Sequence, residues 1–322
     1  MENTVRAICQ KEGIHAGTIQ VLSGGQVNAV YQVGNEYVVR IGAREDAFAR
    51  LKRETEILQS LAGQIPVPKV FAFGQVDGLV YQIQQRLLGE KLYLLWKDLP
   101  PAAQEDIAAG LAQAMQVMHS RVVPYFGDNR AGDRQYTSWD DFIGENFKQT
   151  IAEYKALNSS VAPGFLELAQ DYFEEHIHLL AEGSPTLTHS DLSLVNLLVH
   201  EGKLSAILDF EYAVYAPKDY ELLVLEEFCL YPNDWAEEEH EHFCAADYAS
   251  LFNLLQKYYP ALFATPHLRE RVNLYHLAAA LSSHLAWRKD NLGSIPPERM
   301  AAKEFYMARI TNFIFRHGVR MF

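Results

Sequence analysis

The sequence predicts an α+β fold in two lobes, an antiparallel sheet with one main helix followed by a mostly helical part. Three observations carry this expectation. Strand-like alternation fills the stretch before Gly89, and helical periodicity dominates from Pro101 onward. One hairpin-sized segment, Leu187–Phe210 (LTHSDLSLVNLLVHEGKLSAILDF), interrupts the helical half with strong strand signals.

Taken in order, Val27, Ala29, Tyr31 and Val33 alternate with Asn28, Val30 and Gln32, as in a strand with unequal faces. Asn35 and Glu36 supply a turn into a second strand, Tyr37–Ile41. Between Glu45 and Leu61, Phe48, Leu51, Ile57, Leu58 and Leu61 make a helical stripe that Pro66 and Pro68 end. Lys69–Phe73 and Leu79–Gln85 read as two more strands around a Gln75–Gly78 turn. The lobe boundary falls near Leu87–Gly89, so the lobes cover 1–87 and 88–322. In the second lobe, Ile107, Leu111, Ala114, Met115 and Met118 form one helical stripe, and Phe165–Leu180 forms another. Tyr125–Tyr136 reads as a long loop, and the chain after Asp219 as helical, with Tyr275–Trp287 a core helix.

Composition narrows the function classes. The 322 residues are 49% hydrophobic and 21% charged, ordinary for a soluble globular chain. No apolar run is long enough for a membrane span, and the N-terminus lacks the apolar core of a secretory signal. Cys9, Cys229 and Cys244 are odd in number and widely spaced, which suggests no disulfide framework and fits a reducing cytoplasm. A formal charge of −13 opposes general nucleic-acid binding, since phosphate backbones need a basic surface. It suits a small substrate that carries positive charge. His240 and His242 lack a recognisable ligand set for zinc.

The chemistry concentrates in Leu187–Phe210. His189, Asp191, Asn196 and Asp209 fall at the spacing of a kinase-type phosphoryl-transfer site. Such a site needs a base for the incoming hydroxyl and hard oxygen ligands for magnesium on ATP phosphates. Singly, Asp191 reads as a cap, Asn196 as a turn residue and Asp209 as a strand-end cap. It is their joint occurrence, H-x-D, x4, N, strand–turn–strand, then D-F, that points to catalysis.

On these residues the chain resembles the aminoglycoside phosphotransferase and choline-kinase-like superfamily of small-molecule kinases, which share the protein-kinase fold. HSDLSLVNLLV followed by AILDFEYA carries the likeness, which runs from about Leu22 to Asp219. It implies ATP and Mg2+ as cofactors, a nucleotide-binding first lobe, and a catalytic and substrate-binding second lobe. Asp191 is then the base, His189 orders its loop, and Asn196 and Asp209 hold magnesium. Gly24, Gly25 and Asn28 belong to a nucleotide-covering loop, SGGQVN. Arg40 stands where many kinases place a phosphate-binding lysine, with Glu54 its ion-pair partner and Glu56 a weaker choice. Backbone groups of Gln85 and Leu87 would read the adenine edge.

Ser193 replaces the lysine that protein kinases carry two places after the base, and no APE-like ending follows Asp209. Both favour a small acceptor over a protein hydroxyl. Asp219 resembles the family's structural aspartate, and Glu211 is either structural or substrate-facing. Glu226, Glu227, Asp234, Glu237, Glu238, Glu239 and Glu241 form an acidic cluster that either lines a polycation site or is a solvated helical face. The leading expectation is a kinase acting on an aminoglycoside-type antibiotic. The alternatives are a kinase of a sugar, an amino alcohol or a fructosamine, and a non-catalytic nucleotide-binding module.

Overall fold

The computed structural model describes residues 1–24, 28–42, 44–127, 135–157, 163–235 and 242–290. The chain opens with α1 (Glu2–Lys11), β1 (Ile19–Gly24), β2 (Asn28–Val33), β3 (Tyr37–Gly42), α2 (Ala47–Leu61), β4 (Val70–Val76) and β5 (Leu79–Gln85). Next come β6 (Glu90–Lys91), α3 (Leu92–Leu95), α4 (Pro101–His119), α5 (Trp139–Ala156) and α6 (Pro163–His176). Then follow β7 (Thr186–Thr188), β8 (Leu197–His200), β9 (Lys203–Ile207) and β10 (Val214–Ala216). Helices α7 (Leu222–Leu230), α8 (Ala249–Tyr258), α9 (Pro260–Phe263) and α10 (Leu268–Asp290) complete the described chain. It forms two compact units, one of Met1–Arg121 with His189–Val214, the other of Val122–Gly127, Gln135–Thr188 and the chain from Tyr215.

In the first unit, β1 to β5 make an antiparallel sheet of order β1-β2-β3-β5-β4. Side chains alternate across it, so each strand serves two helices. Tyr31, Val33, Val39, Ile41, Tyr81 and Ile83 share a core with Val5, Ile8 and Cys9 of α1. The intervening residues face α2, where Val80 packs on Ala47 and Leu51. Arg40, opposite Gln82 in the register, shares that α2 side, and Gln82 Nε2 donates to Thr55 Oγ1 of α2 at 2.7 Å. A sheet face with this many polar groups is stable because each finds a partner on α2 or a neighbouring strand.

The same unit carries a smaller sheet, β6-β8-β9, against which α4 packs, Gly110 lying close to Leu204. Hairpin β8–β9 turns through Glu201 and Gly202, both at positive φ, and Ile207 N–H donates to Pro66 O at 2.7 Å. This hairpin is what brings Asn196 and Asp209 to one end of the sheet.

The second unit is helical. Phe147 of α5 stacks on Phe173 of α6, and the Tyr154 hydroxyl donates to Leu281 O of α10 at 3.0 Å. Helix α5 starts where Ser138 Oγ accepts the Asp141 N–H, and Asp140 and Asp141 sit in its first turn. Helices α1 and α5 were not anticipated from the sequence. Among the described residues no helix is long and apolar enough to cross a membrane.

Candidate active site

The site is built within the first unit around one buried guanidinium. Arg40 of β3 is only 7% exposed, and its Nη1 donates to Glu54 Oε1 of α2. Its Nη2 lies 3.0 Å from Asp209 Oδ1 and 3.4 Å from Glu211 Oε2. Glu54 Oε1 also accepts the Phe210 N–H at 3.2 Å, so one carboxylate fixes both the arginine and the turn after Asp209. Glu56, by contrast, is exposed and pairs with Lys52 at 4.0 Å.

The electrostatics follow from crowding three carboxylates around that cation. Burial alone would push the Arg40 pKa down, but Glu54, Asp209 and Glu211 together raise it. Burial pushes the Glu54 carboxyl up to about 7, against the pull of Arg40 and with help from the other two acids. The site is thus short of positive charge, which is the condition under which an oxygen-ligated cation binds well.

The loop after β7 is set by His189. This ring is fully buried against Phe210, with centroids 4.4 Å apart. Its Nδ1 accepts the Asp191 N–H at 3.2 Å, which leaves the proton on Nε2, 2.8 Å from Leu208 O. Both nitrogens are therefore engaged with backbone, one on each side of the site. Ser190 takes a positive φ of 63°, turning the chain so that Asp191 leaves the buried histidine.

Asn196 closes the loop. Its Nδ2 donates to Asp191 O at 2.9 Å and to Asp191 Oδ2 at 3.0 Å. Its backbone carbonyl accepts the Leu208 N–H at 2.9 Å. With both donations made by Nδ2, Oδ1 is the atom of the amide suited to a cation. Asp209 sits at φ 65°, ψ 66°, an uncommon conformation for a residue with a side chain. Its side chain keeps 39% of its surface exposed, although it touches Arg40.

Asn196 and Asp209 fit magnesium as a pair of oxygen ligands, since magnesium on a nucleotide takes one or two protein ligands and fills its shell from phosphates and water. Among the described residues there is no cluster of three or more His, Cys, Asp or Glu that could hold a metal ion.

Elsewhere in the first unit, Gly24 ends β1 and Asn28 begins β2, while Gly25 lies outside the described residues. Gln85 ends β5 with its N–H donating to Lys69 O at 2.8 Å, and Leu87 lies in the connection between β5 and β6. Glu211, whose role the sequence left open, is buried and bridges two arginines, with Arg50 Nη1 3.6 Å from its Oε1. Nothing in local spacing signals that bridge.

In the second unit, Asp219 is buried against Arg271, which reaches it from Nε at 2.8 Å and Nη2 at 2.9 Å. Glu226 is buried and its Oε2 lies 2.9 Å from His276 Nε2, so it is no part of a solvated acidic face. Glu237, Glu238, Glu239, His240 and Glu241 lie outside the described residues.

Residues 18–259, well over half of the chain, match the model of the phosphotransferase enzyme family. The chain belongs to that family. A curated relative, Hygromycin-B 4-O-kinase of Escherichia coli, is 26% identical over 199 residues, 59% of this phosphotransferase-family chain. The match spans 55% of that relative's own length. Among solved structures, ADP-bound aminoglycoside phosphotransferase APH(2'')-Ib superposes with a TM-score of 0.71 at 16% identity, covering 97% of this chain and 98% of that one. Aminoglycoside phosphotransferase APH(4)-Ia superposes with a TM-score of 0.67 at 20% identity, covering 98% of each chain. The fold is therefore the kinase-like α+β fold of aminoglycoside phosphotransferases, an antiparallel N-terminal sheet followed by a mainly helical part.

Proposed function

We propose that this chain transfers the γ-phosphate of ATP, with Mg2+, to a hydroxyl of a small molecule, an aminoglycoside-type antibiotic being the first acceptor to test. The observation that carries the reading is one connected cluster in which Asn196 grips Asp191 while Arg40 joins Glu54 to Asp209. That is the part list of phosphoryl transfer, which needs positioning and charge stabilisation more than covalent chemistry.

In this reading Asp191 is the base. The acceptor oxygen forms a bond to the γ-phosphorus, the bond to the β–γ bridging oxygen breaks, ADP leaves, and the hydroxyl proton passes to Asp191. Asn196 holds the Asp191 carboxylate in place by its Nδ2. Asn196 Oδ1 and Asp209 would hold magnesium, which supplies charge neutralisation to the phosphates when bound. Arg40 brings positive charge beside the phosphates, its Nη1 held by Glu54 and its Nη2 by Asp209 and Glu211. His189 positions the loop and transfers no proton, because both of its nitrogens serve backbone groups. Gly24, Gly25 and Asn28 cover the nucleotide, and the Gln85 carbonyl and Leu87 N–H read adenine, the Gln85 N–H being already bonded.

The acceptor reading rests on the relatives. Hygromycin-B 4-O-kinase is named for its antibiotic, and a thermostable variant of APH(4)-Ia is solved with ADP and hygromycin B. A second reading, phosphorylation of a sugar, an amino alcohol or a fructosamine, gains from the burial of Glu226 against His276, which removes one acid from any polycation surface. An ADP-release screen over antibiotics, sugars and amino alcohols decides between them. Turnover lost in Asp191→Asn supports the base. Full turnover in that variant overturns it, and ATP binding without ADP release from any acceptor points to a nucleotide-binding module.

A further inference from the structure

Glu211 and Arg50 take no part in the chemistry proposed above, yet both are largely enclosed beside it. Glu211 follows Asp209 by two residues, and the 3-10 turn Phe210–Tyr212 carries its carboxylate back to the guanidinium that holds Asp209. There it lies between two cations, Oε2 3.4 Å from Arg40 Nη2 and Oε1 3.6 Å from Arg50 Nη1. Arg50 is itself aimed by Asp46, whose Oδ2 accepts from its Nε at 2.6 Å, and it lies 5.7 Å from the Tyr212 ring centroid. The charges form a chain, Asp46–Arg50–Glu211–Arg40, that ends on the atom shared with Asp209.

That shared atom creates a competition. Arg40 Nη2 donates to Asp209 Oδ1, the same carboxylate expected to meet a metal–nucleotide. Asp209 can turn to a cation at low cost only if the buried Nη2 keeps another acceptor. Glu211 is that acceptor, and it stays in place because Arg50 holds its other oxygen. We infer that Glu211, held by Arg50, is a positioning residue that keeps Arg40 satisfied and so releases Asp209 to the metal–nucleotide. The inference rests on the phosphotransfer reading for the role of Asp209.

The test is calorimetric titration of magnesium into the full chain saturated with AMP-PNP, a readout independent of turnover. Glu211→Gln should weaken magnesium binding roughly tenfold, the scale of losing a residue that orients a metal ligand. Arg50→Gln is the sharper variant. Simple charge alone would tighten magnesium binding when a cation is removed, whereas loss of the Glu211 support should outweigh that and leave Arg50→Gln binding magnesium more weakly than wild type. Arg50→Lys should restore most of the affinity, and the double variant should be no weaker than the worse single one. Unchanged or tighter binding in Arg50→Gln, or single effects that multiply in the double variant, would overturn the inference. If Glu211→Gln fails to fold, the two Arg50 variants still decide. A chain that binds magnesium and AMP-PNP but releases no ADP with any acceptor refutes the phosphotransfer reading and leaves this test intact. One that binds neither refutes both.

Discussion

The side-chain nitrogen of Asn196 donates to both the backbone carbonyl and the carboxylate of Asp191, at 2.9 and 3.0 Å. The proposed base and a proposed metal ligand are thus one mechanical unit, and their variants should separate by what they spare. Asp191→Ala should lower turnover by about 10²–10⁴-fold, the usual contribution of a positioned base. Its thermal stabilisation by ATP with magnesium should persist, because no phosphate contact is removed. Asn196→Ala should lose turnover and also need more magnesium for half-maximal rate. Chelation of magnesium should abolish turnover in every form. Equal magnesium requirements in wild type and Asn196→Ala would break the link.

Glu54 makes a pH prediction whose sign can be worked out. Burial pushes its carboxyl from 4.5 up to about 7. Between those values the folded chain holds a proton that the unfolded chain has released, so stability falls as pH rises through that window. Denaturant unfolding of the ligand-free protein should therefore show greater stability at pH 5 than at pH 7.5, as far as this group decides. Glu54→Gln cannot ionise and should flatten the slope. An identical slope in both proteins would place the proton elsewhere in the cluster.

How much of this was legible in the sequence depends on how local each constraint is. Asp191, Asn196 and Asp209 share one loop and hairpin, so their relation survives in spacing alone. Arg40 is placed by strand alternation, which puts it on the side opposite Val39 and Ile41, and Glu54 by helical phase on α2. Helix α5 was readable in principle, since Trp139, Phe142, Ile143, Phe147, Ile151 and Tyr154 are all buried on it. Gly144 and its many charged positions blur that stripe beside a loop-like stretch. Helix α1 offers only Val5, Ile8 and Cys9, too short a stripe to stand out. The Glu211–Arg50 bridge joins residues far apart in sequence, and no local signal can encode such a pairing.

The buried pair in the second unit predicts a stability effect. Asp219 and Arg271 are each about 1% exposed, Tyr275 Oη donates to Asp219 Oδ2 at 3.0 Å, and Arg271 Nη1 donates to Leu179 O. Burial opposes the arginine's charge, but Asp219 holds its pKa up. Arg271→Ala would leave Asp219 charged and uncompensated, at a cost of about 3–5 kcal/mol. Combining Arg271→Met with Asp219→Asn should recover part of that loss, because the stranded charge is gone. Urea unfolding curves measure both, and an Arg271→Ala protein within about 0.5 kcal/mol of wild type would show the pair to be energetically idle.

Gly89 offers a last test, of the backbone that leads into β6 of the smaller sheet. Its φ of 146° lies where side chains are strained, and a Cβ there would come 2.7 Å from Ser205 Oγ and 2.9 Å from Val199 O. Ser205 has little room to yield, since its Oγ donates to Leu88 O at 2.8 Å, and Val199 O is backbone of β8. Gly202, in the β8–β9 turn, has φ 74° with no atom within 4 Å of the added Cβ. Gly89→Ala should thus combine strain with collision and destabilise the chain by at least the about 1–3 kcal/mol typical of strained backbone. Gly202→Ala should show strain alone and the smaller loss. Thermal unfolding of the two variants side by side gives the answer, and equal losses would mean that the close approach at Gly89 relaxes freely.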